Sequence, residues 1–225
     1  MDLIREFCAE NMTLVPAAIA AGAQRVELCD NLAVGGTTPS YGVIKAAVAF
    51  ARENDAQVMA MMRPRGGGFV YSEAEASIML DDIRCARGLG VSGVVLGCLR
   101  AGDDGRPSLD AELTKRLVDA AKGPGPNAPL LVTFHMAFDE LDDASQLKDI
   151  ELLASLGVER ILTHGGPLAE PILDHIPHLR ELVHRAGGRI IILPGGGITW
   201  QNAEQVASLL GVHEVHGTKV VRLAP

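Results

Sequence analysis

The sequence predicts an α/β fold, a (β/α)8 barrel that lacks or shortens its final helix. Three observations predict it. Short apolar runs alternate with amphipathic stretches along all 225 residues, and such alternation implies parallel strands joined by crossover helices. Several helical stretches run into a glycine, among them Gly22, Gly90, Gly157 and Gly211, the residue that most readily caps a helix C-terminus. Eight strand-like runs favour closure. An open doubly wound sheet is the alternative, disfavoured because no G-x-G-x-x-G follows the first run.

In chain order, the strand-like runs are Leu3–Ala9, Arg25–Cys29, Gln57–Met62, Gly93–Cys98, Leu130–His135, Arg160–Thr163, Arg189–Leu193 and Val212–His216. The helical stretches between them are Thr13–Ala21, Val43–Asn54, Glu73–Leu89, Asp110–Ala121, Asp143–Leu156, Leu168–Arg185 (with internal prolines) and Thr199–Leu210. Gly123–Pro129 reads as a turn-rich connection. Only Gly217–Pro225 follow the last strand, too few for a full helix. Exposed apolar strand faces cost ~25 cal/mol per Å², so cover from a second copy, a homo-oligomer, is expected there. Residues 1–225 read as one domain, a length that α/β barrels often reach.

Composition narrows the function. Apolar residues make up 48% and the net charge is −8, with no basic groove to suit nucleic acid. A small anionic substrate stays open, since local arginines override a negative total. The N-terminus lacks a signal-peptide pattern and no apolar run is long enough to span a membrane, so a cytoplasmic protein is expected. Cys8, Cys29, Cys85 and Cys98 form no C-x-x-C pair and read as free thiols in a reducing compartment.

Alternation along strands assigns the barrel interior. Phe7, Val26 and Leu28 face the helices, so Glu6 with Cys8, and Glu27 with Cys29, share the interior as duplicated Glu-x-Cys pairs on adjacent strands. By the same parity Thr133, His135, Glu214 and His216 face inward. Arg63 and Arg65 end strand three, and Thr163-His164 end strand six with ambiguous parity. These residues gather near strand C-termini, the end that carries the active site in barrels. The competing account is a buried ion-pair network in which Glu6, Glu27, Arg63 and Arg65 satisfy one another.

Two chemistries fit. Thiolates of Cys8 and Cys29 could hold a soft ion such as Cu(I), with thioethers from Met59, Met61 or Met62 nearby; the alternative is plain core packing. In an enzyme acting on a small anion, Arg63 and Arg65 would clamp the anion, and His135 with Glu27 or Glu214 would move protons. Gly195 and Gly196 in the turn Pro194–Ile198 could cradle a phosphate or carboxylate, or simply form a tight turn. Glu6, Thr133, Thr163 and His216 complete the candidate ligand-binding set. Zinc on His135, His164 and His216 has no spacing to support it. His175, His178 and His184 read as surface residues, and Tyr71 as a lid or as loop packing. A barrel kept only as an interaction scaffold is a third reading.

At these residues the sequence resembles the CutC family. The motifs are Arg25–Cys29 (RVELC), Gly35–Gly42 (GGTTPSYG), Arg63–Ser72 (RPRGGGFVYS), Thr133–Asp139 (TFHMAFD), Ile161–Gly165 (ILTHG), Pro194–Ile198 (PGGGI) and Glu214-Val215-His216. They span about residues 3–216 in family order. The resemblance implies a TIM-type barrel and a role in copper homeostasis, with copper on cysteines matching Cys8 and Cys29. It implies equally that the motifs line an active site. Three positions depart from the family's pattern: Gly68 in place of Asp, Met136 in place of Arg and His164 in place of Ser. The family's longer C-terminal segment is also missing.

Overall fold

The computed structural model describes residues 2–102, 105–124 and 128–224; positions 125–127 of the expected Gly123–Pro129 turn lie outside them. Eight parallel strands curl into a barrel: β1 Ile4–Glu10, β2 Arg25–Cys29, β3 Gln57–Met61, β4 Gly93–Leu96, β5 Leu131–Phe134, β6 Arg160–Thr163, β7 Ile191–Pro194 and β8 Glu214–Gly217. Helices alternate with them: α1 Val15–Ala20, α2 Tyr41–Glu53, α3 Glu73–Leu89, α4 Ala111–Lys122, α5 Asp143–Leu156, α6 Ile176–Ala186 and α7 Ala203–Leu210. The strand order is β8-β1-β2-β3-β4-β5-β6-β7. Neighbours β7 and β8 lie side by side without a hydrogen-bonded ladder among the described residues. The barrel is therefore nearly closed, and the seam is tied beyond the strands, where Trp200 N–H donates to Lys219 O at 2.7 Å.

Local chemistry sets the boundaries. Ser72 and Glu75 form a reciprocal capping box at the start of α3, which satisfies two otherwise unpaired N–H groups. Gly90, Gly157 and Gly211 end α3, α5 and α7 in left-handed conformations. Helix α6 begins late: a 3-10 turn, Ile172–His175, precedes it, and Pro177 occupies its first turn, where a missing N–H is harmless. A hairpin pairs Leu99–Ala101 with Pro107–Leu109; three-residue strands are too short for periodicity to reveal.

No eighth helix follows β8 among the described residues. Val220 and Val221 are instead buried in the main apolar core, with Leu223 packed against it. They supply from within the chain part of the cover expected of a neighbouring subunit. No helix among the described residues is long and apolar enough to cross a membrane.

Alternation divides the barrel into two shells. The outer shell, between sheet and helices, holds Phe7, Val26, Leu28, Met62, Phe134, Ile161 and Val215. Inside sits a small cluster of Cys8, Cys29, Met59, Met61 and Val95. The remaining interior is largely ionic, which is where function has to be sought.

Candidate functional site

Register explains which charges meet. Glu6 pairs with Arg25 on β2 and with His216 on β8. Arg25 is 1% exposed and ion-pairs with both Glu6 and Glu214, the latter through Nη2 at 2.5 Å. Arg160 grips Glu214 with Nε at 2.6 Å and Nη2 at 3.1 Å. Burial alone would raise both carboxyl pKa values. Arg25 and His216 instead hold Glu6 down at about 2, and Arg160 with Arg25 holds Glu214 below its usual range. The expected ion-pair network thus exists with other cations: Arg25 and Arg160, rather than Arg63 and Arg65, neutralise the buried acids. Arg25 lies two residues before Glu27 on the same strand and so shares its face, a signal present in the sequence that the parity assignment does not use.

Above that floor, His216 bridges two acids, with Nδ1 at 2.9 Å from Glu6 Oε1 and Nε2 at 3.6 Å from Glu27 Oε2. Burial opposes its charge, but Glu27, Cys8 and Glu6 together raise its pKa well above 6.5. Burial also raises the pKa of Glu27, against the pull of His216. The two thiols converge on one carboxylate oxygen: Cys8 Sγ lies 3.1 Å and Cys29 Sγ 3.7 Å from Glu27 Oε2. The Cys29 thiol, burial and the Glu27 charge all push Cys8 up. For Cys29, a hydrogen bond with Cys8 pulls downward, but burial and Glu27 prevail and take it to about 11. Both thiols are protonated at neutral pH.

A cavity of about 160 Å³ opens above this cluster, with Cys8, Glu27, Met61, Arg63, His135 and His216 in its wall. Arg63 is 4% exposed and is held by backbone carbonyls. Nη1 donates to Val34 O at 2.9 Å and Gly36 O at 3.0 Å, and Nη2 donates to Gly67 O at 2.5 Å. Its Nε has no hydrogen-bond partner, and no carboxylate pairs with it among the described residues. The guanidinium stacks 4.8 Å from the centroid of Phe69. His135 Nδ1 accepts from Ala137 N–H at 3.1 Å, which fixes the proton on Nε2, and Nε2 is itself without a partner. Burial, then the charge of Arg63, lowers the His135 pKa to about 3, so the ring is a neutral donor. Gly97 makes room for it: a Cβ there would lie 2.5 Å from the imidazole.

The model of the CutC family matches residues 3–221. The chain belongs to the CutC family. It is 52% identical to the CutC protein of Enterococcus faecalis over 219 residues, covering 97% of this chain and 100% of that one. With the Streptococcus pyogenes CutC the identity is 44% over 219 residues, with the same coverage. A crystal structure of the Streptococcus agalactiae CutC, provisionally named a copper homeostasis protein, superposes with a TM-score of 0.90 at 44% identity, covering 97% of this chain and all of that one.

Other residues that the CutC resemblance and the strand pattern single out lie elsewhere. Arg65 is 40% exposed by side chain and ion-pairs with Glu75, bracing the loop through Gly68 O and Val70 O. Thr163 faces outward and donates to Asp139, which also accepts from His164 N–H at 3.0 Å. The ring of His164 is enclosed by the carbonyls of Gly195, Gly196 and Glu170 and the edge of His175. Gly195 and Gly196 are explained by packing, since a Cβ would meet Leu162 at the first and His164 at the second within 2.7 Å. Thr133 is fully buried in the interior, its Oγ1 unpartnered. Of the three departures from the family pattern, Met136 lines the cavity, His164 is buried away from it and Gly68 belongs to the Arg65 loop. Cys98 is buried and Cys85 exposed; neither approaches the Cys8–Cys29 pair. His175 and His178 are half-buried rather than solvated, and His178 bonds Gln146 at 2.7 Å. A larger, mainly apolar cavity of about 570 Å³, walled by Ile4, Val183, Ile191 and Val212, lies at the opposite end of the strands, below the β7–β8 seam.

Proposed function

We propose that this protein binds Cu(I) as its cargo through Cys8 and Cys29. The observation that carries the proposal is the convergence of Cys8 Sγ, Cys29 Sγ and a Glu27 oxygen within 4.8 Å of one another. Soft thiolates in low coordination suit Cu(I), and a copper ion would replace the two thiol protons. Glu27 is placed to accept a proton or to add a third, harder donor. Register argues against a disulfide as the purpose of the pair. Cys8 pairs with Glu27 while Cys29 pairs with Glu10, so the cysteines are offset by two residues on neighbouring strands. Their Cα atoms are then roughly 8 Å apart from strand spacing and rise, beyond the reach of an S–S bond. Competition with a Cu(I) chelator under reducing conditions tests the reading. One equivalent should bind to the wild type and be lost in Cys8→Ser/Cys29→Ser; equal affinity in both would overturn it. The copper homeostasis name carried by the Streptococcus agalactiae relative is consistent with this reading.

A second reading, an enzyme acting on a small anion, is favoured by a separate observation. Arg63 lines the cavity as a buried cation without a carboxylate partner among the described residues, next to a neutral His135. A thermal-shift screen of small anions against wild type and Arg63→Lys tests it, and no response to any anion would count against it.

A further inference from the structure

Three side-chain atoms of residues lining the 160 Å³ cavity are buried and unpartnered: Arg63 Nε, His135 Nε2 and Glu27 Oε1. Their residues are 4%, 4% and 2% exposed. Buried polar groups are nearly always satisfied, so three exceptions on residues that line one small space point to a shared partner. Their chemistry specifies it. Arg63 has committed Nη1 and Nη2 to carbonyls, which fixes the guanidinium and leaves the Nε–H, a charged donor. His135 has committed Nδ1 as an acceptor, which makes Nε2–H a neutral donor. Glu27 has committed Oε2 to the thiols, which leaves Oε1 as an acceptor. The complement is a group with two acceptor oxygens and one negative charge, joined to a group that donates a proton.

We propose that this cavity binds a 2-hydroxy carboxylate of three or four carbons, with Arg63 and His135 donating to the carboxylate and Glu27 accepting from the hydroxyl. The proposal rests on the small-anion reading and names its ligand class. Size supports it: 160 Å³ is the share of about five waters at ~30 Å³ each. The carbon chain would lie against Met61, Phe69 and Leu162, which supply the apolar part of the wall. Charge disfavours phosphate, whose second negative charge would face Glu27, while His216 is already paired with Glu6 and Glu27 and Arg63 alone of the lining cations has no carboxylate partner among the described residues. The neutral state of His135 fits the same role, because an imidazole held at a pKa of about 3 donates from Nε2 throughout the neutral range. The Tyr71 hydroxyl also sits near Arg63, which draws down a pKa that burial raises, and neither its oxygen nor Arg63 Nε has a partner that meets hydrogen-bond geometry.

Thermal unfolding of the full chain tests the proposal with lactate, glycerate and 2-hydroxybutyrate against propionate, which lacks the hydroxyl, and inorganic phosphate and sulfate. A hydroxy acid at 100 times its Kd should raise Tm by about 5–10 °C, and propionate should bind at least tenfold more weakly. His135→Asn keeps an acceptor for Ala137 N–H and deletes the Nε2 donor; it should fold and bind the hydroxy acid at least tenfold more weakly. Arg63→Lys, which loosens the loop carbonyls as well, is the less clean variant. Equal binding of lactate and propionate, or unchanged binding by His135→Asn, overturns the assignment. A response to phosphate or sulfate alone overturns it while sparing the small-anion reading, and no response to any of these anions overturns both.

Discussion

His135 offers a pH-dependent test of the site that needs no ligand. Its pKa falls from 6.5 to about 3 on folding, through burial and then the nearby Arg63 charge. The unfolded chain therefore holds a proton that the folded chain refuses between these values. Stability is unaffected above pH 6.5 and is lost as the pH falls through the window between 6.5 and about 3. Each unit in that window costs about 1.36 kcal/mol, so a drop from pH 6.5 to pH 5 removes about 2 kcal/mol. Replacing His135 with Asn abolishes this titration. It also removes the ring that packs 5.0 Å from Phe69, but that loss is the same at every pH and shifts the whole curve. Urea unfolding at pH 7.5 and pH 5, in a buffer free of carboxylates, gives the two differences. The wild type should lose about 2 kcal/mol more than His135→Asn over this interval. Parallel pH profiles would refute the neutral, buried imidazole and the donor role drawn from it.

Three further substitutions probe the surroundings. Arg25→Met should cost about 3–5 kcal/mol in urea unfolding, because Glu6 is left with His216 and Glu214 with Arg160 as their remaining buried cations, one positive charge short of the acids; a loss below about 1 kcal/mol would show that the interior is hydrated. Gly97→Ala should cost about 1–3 kcal/mol as an overpacking change, and it should weaken hydroxy-acid binding because the new methyl group displaces the His135 ring. Thr163→Val should cost about 1–3 kcal/mol by leaving Asp139 short of a donor, while copper and hydroxy-acid binding stay at wild-type levels. A binding defect there would place Thr163 closer to the site than its outward orientation allows.

Much of the barrel was legible because its signal is local. Apolar alternation and terminal glycines mark β2, α3, α5 and β6 to the residue. Strand ends were overextended where the next residue looks strand-like but turns, as His135 does when its ring accepts from Ala137 N–H. Inward parity correctly grouped Glu6, Cys8, Glu27, Cys29, Glu214 and His216. Height along the barrel was not legible, because it depends on the stagger between strands. That stagger drops Glu214 into the ionic floor with Arg25 and Arg160 and lifts His216 to the thiols. Arg63 and Arg65, two residues apart, were also inseparable in sequence. The structure divides them through the loop fold, which buries one under Phe69 and turns the other to Glu75. Gly97 carried no sequence signal at all, since its role is a close approach by a residue from the neighbouring strand.

The interior charges connect the two functional readings. Arg25, Arg160 and a protonated His216 face Glu6, Glu214 and Glu27. This set is neutral whether the shared proton sits on His216 or on Glu27. Arg63 is then the surplus cation of the cavity, solvated only by carbonyls, and such a charge is costly to bury. A hydroxy carboxylate would bring one negative charge. A Cu(I) ion on two thiolates would also leave a net single negative charge, since two protons depart and one positive ion arrives. Either occupant balances Arg63, and the second to arrive finds the balance already made. Cu(I) loading should therefore weaken hydroxy-acid binding several-fold, and the hydroxy acid should weaken Cu(I) by the same factor. Reciprocal titrations measure that coupling; independent binding of the two would mean that Arg63 is not the charge they share.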